Sequence, residues 1–272
     1  MQSRQQIGIT LRAAMACAAL TLLAGCSGSK APSVTDPKPV YRKDAHGDVT
    51  SVMMAFQDLH ENDFKRLPET VTELDMTGSQ FRINDLIQWN GLKKLEGLDL
   101  TGTKITTEDL QKFPPMPELR KLHLSRTFIT TDALEKISGW HELRELKLNA
   151  TDLSGGDFTF IGSLPRLRSL DLSKTKITDL DIEPLAALSS LEWLWLSGNK
   201  VTDASLLTVS QLTKLRGLYL NSTKVSRQGM PSLSNLRHLE TLWLINRKFS
   251  LQSLPHIEPY VPKDCVVIVQ LR

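Results

Sequence analysis

The chain has 272 residues, with 33 Lys and Arg against 30 Asp and Glu, and is 40% hydrophobic but only 6% aromatic. That balance excludes a chain disordered throughout and leaves leucine rather than aromatic residues to carry the packing. The cysteines, Cys17, Cys26 and Cys265, are too few and too scattered for a disulfide scaffold.

Residues 1–25 carry only basic charge, Arg4 and Arg12, followed by a small and apolar run from Ala13 to Leu23. The spacing predicts an export signal, too short to span a bilayer comfortably. The run ends in Leu23-Ala24-Gly25-Cys26, which resembles the lipobox of bacterial lipoproteins. The resemblance implies cleavage before Cys26, a diacylglycerol on its thiol, and anchoring in the cell envelope. Ser27 in place of Asp favours the outer membrane by the same analogy. Loss of the signal removes two basic and no acidic residues, so 31 Lys and Arg remain against 30 Asp and Glu. A mature chain so nearly neutral has no electrostatic case for binding nucleic acid. With Cys17 removed and Cys26 acylated, Cys265 has no partner within the chain.

Residues 26–47 hold the acylated cysteine and a Pro- and Ser-rich stretch with little to bury, expected to be a flexible tether. From Asp48, Val52, Met53, Phe56 and Leu59 recur at helical spacing, and the chain stops near Pro68. A helical N-terminal cap over 48–70 is the expectation, because the open end of a stack of units needs covering.

From residue 71 the sequence repeats every 24 residues. Val71, Leu95, Leu119, Leu143, Leu167, Leu191, Leu215 and Leu239 form one column, and each unit continues as in Leu95, Leu98, Leu100, Thr103, Ile105. The first half of a unit alternates apolar and polar residues, as in Leu98-Asp99-Leu100, which predicts a strand. The second half changes to a three-residue period, as in Leu110, Phe113, Met116 or Leu134, Ile137, Trp140, which predicts a short helix or 3₁₀ turn. Thr106 or Thr107, Thr130, Ser154, Thr178, Thr202 and Ser226 sit where an N-cap is wanted. Eight units over 71–262 and a capping strand over 263–272 complete the chain, with Val266 and Ile268 placed on the positions of Leu242 and Leu244.

The pattern L-x-x-L-x-L-x-x-T-x-I resembles the leucine-rich repeat, whose ninth position is more often Asn. Here that position holds Ser79, Thr103, Thr127, Thr151, Thr175, Asn199, Thr223 and Arg247, closest to threonine-type bacterial repeats. An Asn amide donates two hydrogen bonds where a Thr hydroxyl donates one. The resemblance implies an α/β solenoid, with a curved parallel sheet on the concave face and short helices or 3₁₀ turns on the convex one.

In such a sheet the residues beside the leucines form columns, with neighbouring rungs about 4.8 Å apart. The central column runs Asp75, Asp99, His123, Lys147, Asp171, Trp195, Tyr219, Trp243, Val267. The column two residues earlier runs Glu73, Gly97, Lys121, Glu145, Ser169, Trp193, Gly217, Thr241. The face thus divides into a charged half and an aromatic half. Trp193, Trp195, Tyr219 and Trp243 are the candidate partner-binding residues, because exposed Trp and Tyr dominate binding hot spots. Asp75, Asp99 and His123 have metal-ligand or acid/base chemistry, but cross-strand pairing explains them better: Asp99 with His123, Lys147 with Asp171, Lys121 with Glu145. A further column, Lys176, Lys200, Lys224 and Lys248, is expected to be a solvated rim. His60-Glu61 lacks the second His of a zinc-protease helix, and no phosphate loop or nucleophile elbow occurs.

These residues point to a lipid-anchored, monomeric, non-catalytic binding protein with no metal or cofactor, recognising a protein or peptide. Recognition of an envelope glycan by the same rings, or a purely structural envelope role, are the alternatives.

Overall fold

The computed structural model describes residues 38–269. The expected signal peptide, Cys26 with its acylation, and most of the tether lie outside the described residues. Among those described, eleven strands form one sheet in strict chain order. The strands are β1 (Val40–Lys43), β2 (Val49–Met53), β3 (Glu73–Asp75), β4 (Gly97–Asp99), β5 (Lys121–His123), β6 (Glu145–Lys147), β7 (Ser169–Asp171), β8 (Trp193–Trp195), β9 (Gly217–Tyr219), β10 (Thr241–Leu244) and β11 (Val266–Val269). All neighbours from β2 onward are parallel, and only β1 pairs antiparallel with β2.

From β3 to β10 the register follows the sequence period. Leu74, Leu98, Leu122, Leu146, Leu170, Leu194, Leu218 and Leu242 stand side by side and all are buried. Each strand is only about three residues long because one inward leucine with an outward residue on each side completes the pattern; the third leucine already belongs to the turn. The second halves carry α-helical turns at Thr107–Gln111, Ala133–Ser138 and Ser205–Val209, and 3₁₀ segments at Thr159–Ser163, Arg227–Asn235 and Leu251–His256. Pro231 and Pro255 lie inside two of the 3₁₀ segments. A proline has no N–H to give, and its ring clashes with the carbonyl four residues back, which opposes regular α-helical winding through these positions. The three-residue columns point inward as expected, with Leu110, Phe113, Met116, Met230, Leu233 and Leu236 all buried. A single apolar core therefore runs between sheet and helices along the stack, replacing the compact centre of an ordinary domain.

The ninth-position ladder shows its chemistry directly. Thr103, Thr127, Thr175 and Thr223 each donate the hydroxyl to the carbonyl three residues back in their own unit, at 2.6 to 2.7 Å. Asn199 instead spans two units, with Nδ2 donating to Leu196 O at 3.0 Å and to Leu172 O at 2.7 Å, while Oδ1 accepts from the Thr175 N–H at 3.0 Å. Arg247 is exposed, and the ladder ends there. The expected N-caps are divided. Thr106 and Ser226 accept from N–H groups of the turns they start. Thr202 likewise accepts from the Ala204 N–H, and both it and Ser226 also bond the preceding unit, through Asp179 and Asp203; Thr130 bonds that unit through Thr107, and Ser154 bonds Asp152.

One turn position is left-handed in unit after unit: Phe56, Gly78, Gly102, Arg126, Ala150, Lys174, Gly198 and Ser222 all have φ between 54° and 74°. The chain reverses there to enter the flank, and the backbone N–H of this residue reaches the next unit, as from Gly102 N to Ser125 O at 2.8 Å. Stacking is strong enough to hold four non-glycine residues of the repeats in a conformation that costs each about 1 kcal/mol.

Both ends of the stack differ from expectation. Residues 48–70 are not a helical cap. Val49–Met53 is a strand, and the only helix there is Glu61–Lys65. Val52 and Met54 occupy the inward positions of Leu74 and Met76 in a shortened unit of 22 residues. Val52, Phe56 and Leu59 do fit a helix, but Val49, Thr50 and Val52 are β-branched, and an unpaired edge on β3 rewards the extended form. The C-terminal part of the supposed tether is likewise a strand, β1, which closes the sheet edge with its own hairpin. At the other end β11 is displaced by one residue. Leu242 pairs with Val267 and Leu244 with Val269, so Val266 and Ile268 face outward and Val267 inward, the reverse of the expected placement. An extra residue in the Pro262-Lys263-Asp264 turn produces the slip, and a slip of one residue exchanges the two faces of a strand.

Candidate functional site

The aromatic residues come together as the columns require. Trp193 and Trp195 flank buried Leu194 on β8, Tyr219 stands opposite Trp195 on β9, and Trp243 opposite Tyr219 on β10. Their ring centroids are 6.2 Å apart for Trp193–Trp195, 4.9 Å for Trp195–Tyr219 and 5.7 Å for Tyr219–Trp243, with planes inclined by 21°, 15° and 31°. The rings thus stack along the solenoid axis at the spacing of the strands, each half-buried by its neighbours. Gly217 makes room for this: a Cβ there would overlap the Trp193 indole, so the ring lies directly on the glycine backbone. The slipped register of β11 adds Ile268 beside Trp243 and exposed Val266 beside Thr241. The last rung of the apolar half is therefore Val266 and Ile268, where the 24-residue columns place Val267. The only sequence signal for it is the 25-residue interval between the last two strands.

The charged half is a network of ion pairs. His123 lies between two carboxylates, with Nδ1 2.8 Å from Asp99 Oδ2 and Nε2 3.0 Å from Glu145 Oε1. Lys147 Nζ is 2.8 Å from the same Glu145 oxygen. Lys121 reaches over side-chain-free Gly97 to Glu73 at 3.0 Å, rather than to Glu145 as expected. Lys147 likewise pairs within its own strand and leaves Asp171 on the next one. Asp171 accepts a hydrogen bond from the Ser173 N–H at 2.9 Å, and burial raises its carboxyl pKa above the ordinary value. Among the described residues no group of three or more His, Cys, Asp and Glu comes together as a metal site. On the flank, Lys176 bonds Asp152 at 2.6 Å and Lys248 donates to Lys224 O at 2.7 Å, so the lysine column is partly neutralised within the chain.

A neutral imidazole has one N–H and cannot donate to both carboxylates, so the geometry at His123 is that of the protonated ring. Burial opposes the charge, but the bonds to Asp99 and Glu145 outweigh it and hold the His123 pKa above its ordinary value. Glu145, bonded to His123 and then to Lys147, is held down to about 2. A raised folded-state pKa gives stability that is complete below the unfolded value near 6.5 and is lost as pH rises through the folded value. The depressed Glu145 gives stability that is complete above about 4.5 and is lost as pH falls toward about 2. The difference in urea unfolding free energy between the wild type and His123→Gln is therefore expected to shrink as pH rises above neutrality. A difference independent of pH would contradict a charged His123.

A family model described as leucine rich repeat matches residues 141–201 and again 165–225. The fold is a leucine-rich-repeat solenoid. The solenoid is similar to internalin C2 of Listeria monocytogenes, at TM-score 0.51 and 20% identity, over 82% of this chain and 81% of that one. It is also similar to a Leptospira interrogans LRR protein, at 0.52 and 23%, over 74% of this chain and 55% of that one. A third similar structure is the LRR ectodomain of the Arabidopsis thaliana receptor kinase GASSHO1/SCHENGEN3, at 0.54 and 19%, over 80% of this chain and 32% of that one. At such identities the likeness is one of fold. Comparison of the sequence with curated proteins gives no match.

Proposed function

We propose that this chain is a non-catalytic binding protein, held at a bacterial envelope membrane through acylated Cys26, that takes up a protein or peptide on the aromatic half of its concave face. The observation that carries the reading is the continuous stack from Trp193 to Trp243 on an open sheet face whose other half is charged. Exposed Trp and Tyr offer large contact area with only two side-chain torsions to immobilise. A protein ligand is favoured over a glycan by the way the rings are used. Trp195 and Tyr219 each stack against two neighbouring rings, so their edges rather than their flat faces are offered to a ligand. Ring edges are electropositive and suit carbonyls and other aromatic rings, whereas a sugar stacks on an open face. Outer-membrane location and a monomeric state complete the proposal.

The test is capture from envelope extract by the purified mature chain. Prior proteolysis of the extract is expected to abolish capture, and prior digestion of its glycans to leave it intact. Capture that survives proteolysis would replace the protein reading with glycan recognition.

A further inference from the structure

The two tryptophans of β8 stack on one another and are covered by the chain itself toward the C-terminus. Trp195 is covered by Tyr219, and Trp193 lies on Gly217, both of β9. Toward the N-terminus, β7 presents only Ser169 and Asp171 to the two tryptophans. Asp171 is half-buried and has no ion pair among the described residues; Ser173 donates to it through its side chain and through its N–H, the latter at Oδ1. The nearest cation by register, Lys147 of β6, gives its Nζ to Glu145 at 2.8 Å. Elsewhere on this face Glu73, Asp99 and Glu145 have charged partners within 3.0 Å, and Asp75, which accepts from the Thr77 N–H, stands on β3, far from the aromatic rings. Lys147 acts on Asp171 only through space, so Asp171 stands as a carboxylate without a direct ion pair at the border of an aromatic stack.

We propose that Asp171, with Trp193 and Trp195, forms a cation seat for an Arg or Lys side chain of an extended peptide whose apolar residues then run over Tyr219, Trp243 and Ile268. The inference rests on the protein-or-peptide reading above and names the class of peptide. A carboxylate that lacks a direct ion pair while its neighbours have one gains most from an incoming cation, and the adjacent indoles lower the local dielectric and so strengthen the attraction. The four rung steps from β7 to β11 span roughly 19 Å at about 4.8 Å each, which an extended peptide covers in about six residues. The basic residue should therefore lie within about six positions of the apolar ones.

Selection from a displayed library of random heptapeptides, using the folded mature chain as bait, tests this. Wild-type protein is expected to enrich peptides that combine Arg or Lys with aromatic or aliphatic residues. Asp171→Asn keeps an oxygen for the Ser173 N–H and so keeps the turn; it is expected to select apolar peptides without the basic preference, and Asp171→Glu to restore it. Replacing the Arg of a selected peptide by citrulline should weaken binding to wild type roughly tenfold or more, and binding to Asp171→Asn far less. Apolar peptides selected with no basic preference, or the same preference in Asp171→Asn, would overturn the cation seat while leaving peptide binding intact. Failure to select any peptide would overturn both readings.

Discussion

Replacing Trp195 and Trp243 together by alanine is expected to weaken partner binding at least about a hundredfold, since buried aromatic anchors cost about 2 kcal/mol or more each when truncated. The stack makes the double substitution more than a surface change. Three ring contacts disappear, Trp193–Trp195, Trp195–Tyr219 and Tyr219–Trp243, and at 0.5 to 1.5 kcal/mol each they take about 3 kcal/mol of stability. The leucines beneath, Leu194, Leu218 and Leu242, stay buried, so the variant is expected to remain folded with a lower melting midpoint. Binding measured well below that midpoint separates the two effects. Unchanged affinity in the folded variant would show that the rings only shield the sheet.

The second large effect is expected inside the stack. Asn199→Ala removes the partners of the Leu196 carbonyl and of the Thr175 N–H at a buried position, while the Leu172 carbonyl keeps the Thr175 hydroxyl. Two buried polar groups left without a partner cost about 1 kcal/mol or more each, so a loss of about 2 kcal/mol or more is expected in equilibrium unfolding. Asn199→Thr should restore the bond to Leu196 O that the other threonine units make, and leave the bond to Leu172 O unmade. It is expected to recover only part of the loss. Because stability in a solenoid is set by each unit and its nearest neighbours, hydrogen exchange should quicken most between residues 172 and 199. An equal loss in Asn199→Ala and Asn199→Thr would mean that the bond between units carries all of the effect.

The interior of this fold was legible in the sequence because its inward positions repeat, from Leu98 to Leu242, without a change of interval. The columns of the open face followed from the same interval, and so did the meeting of Trp193, Trp195, Tyr219 and Trp243. What could not be reached by periodicity lies where the period breaks. Val52 and Met54 belong to a unit of 22 residues and equally fit a helix, so the choice was made by pairing with β3. Ile268 joined the aromatic face only through the extra residue after Val261. Long side chains also chose partners by reach rather than by column, as when Lys121 crossed Gly97 to Glu73. The unpaired state of Asp171 was a consequence of such choices, and a column of letters does not contain it.

The central claim is that the aromatic half of the concave sheet, and not the outer helices, receives the partner. Hydroxyl-radical footprinting of the chain alone and with its captured partner tests it most directly. The account predicts protection of Trp193, Trp195, Tyr219 and Trp243, with exposed convex residues such as Leu180 and Leu207 oxidised equally in both states. Protection of Leu180 and Leu207 with the four rings unchanged would contradict it.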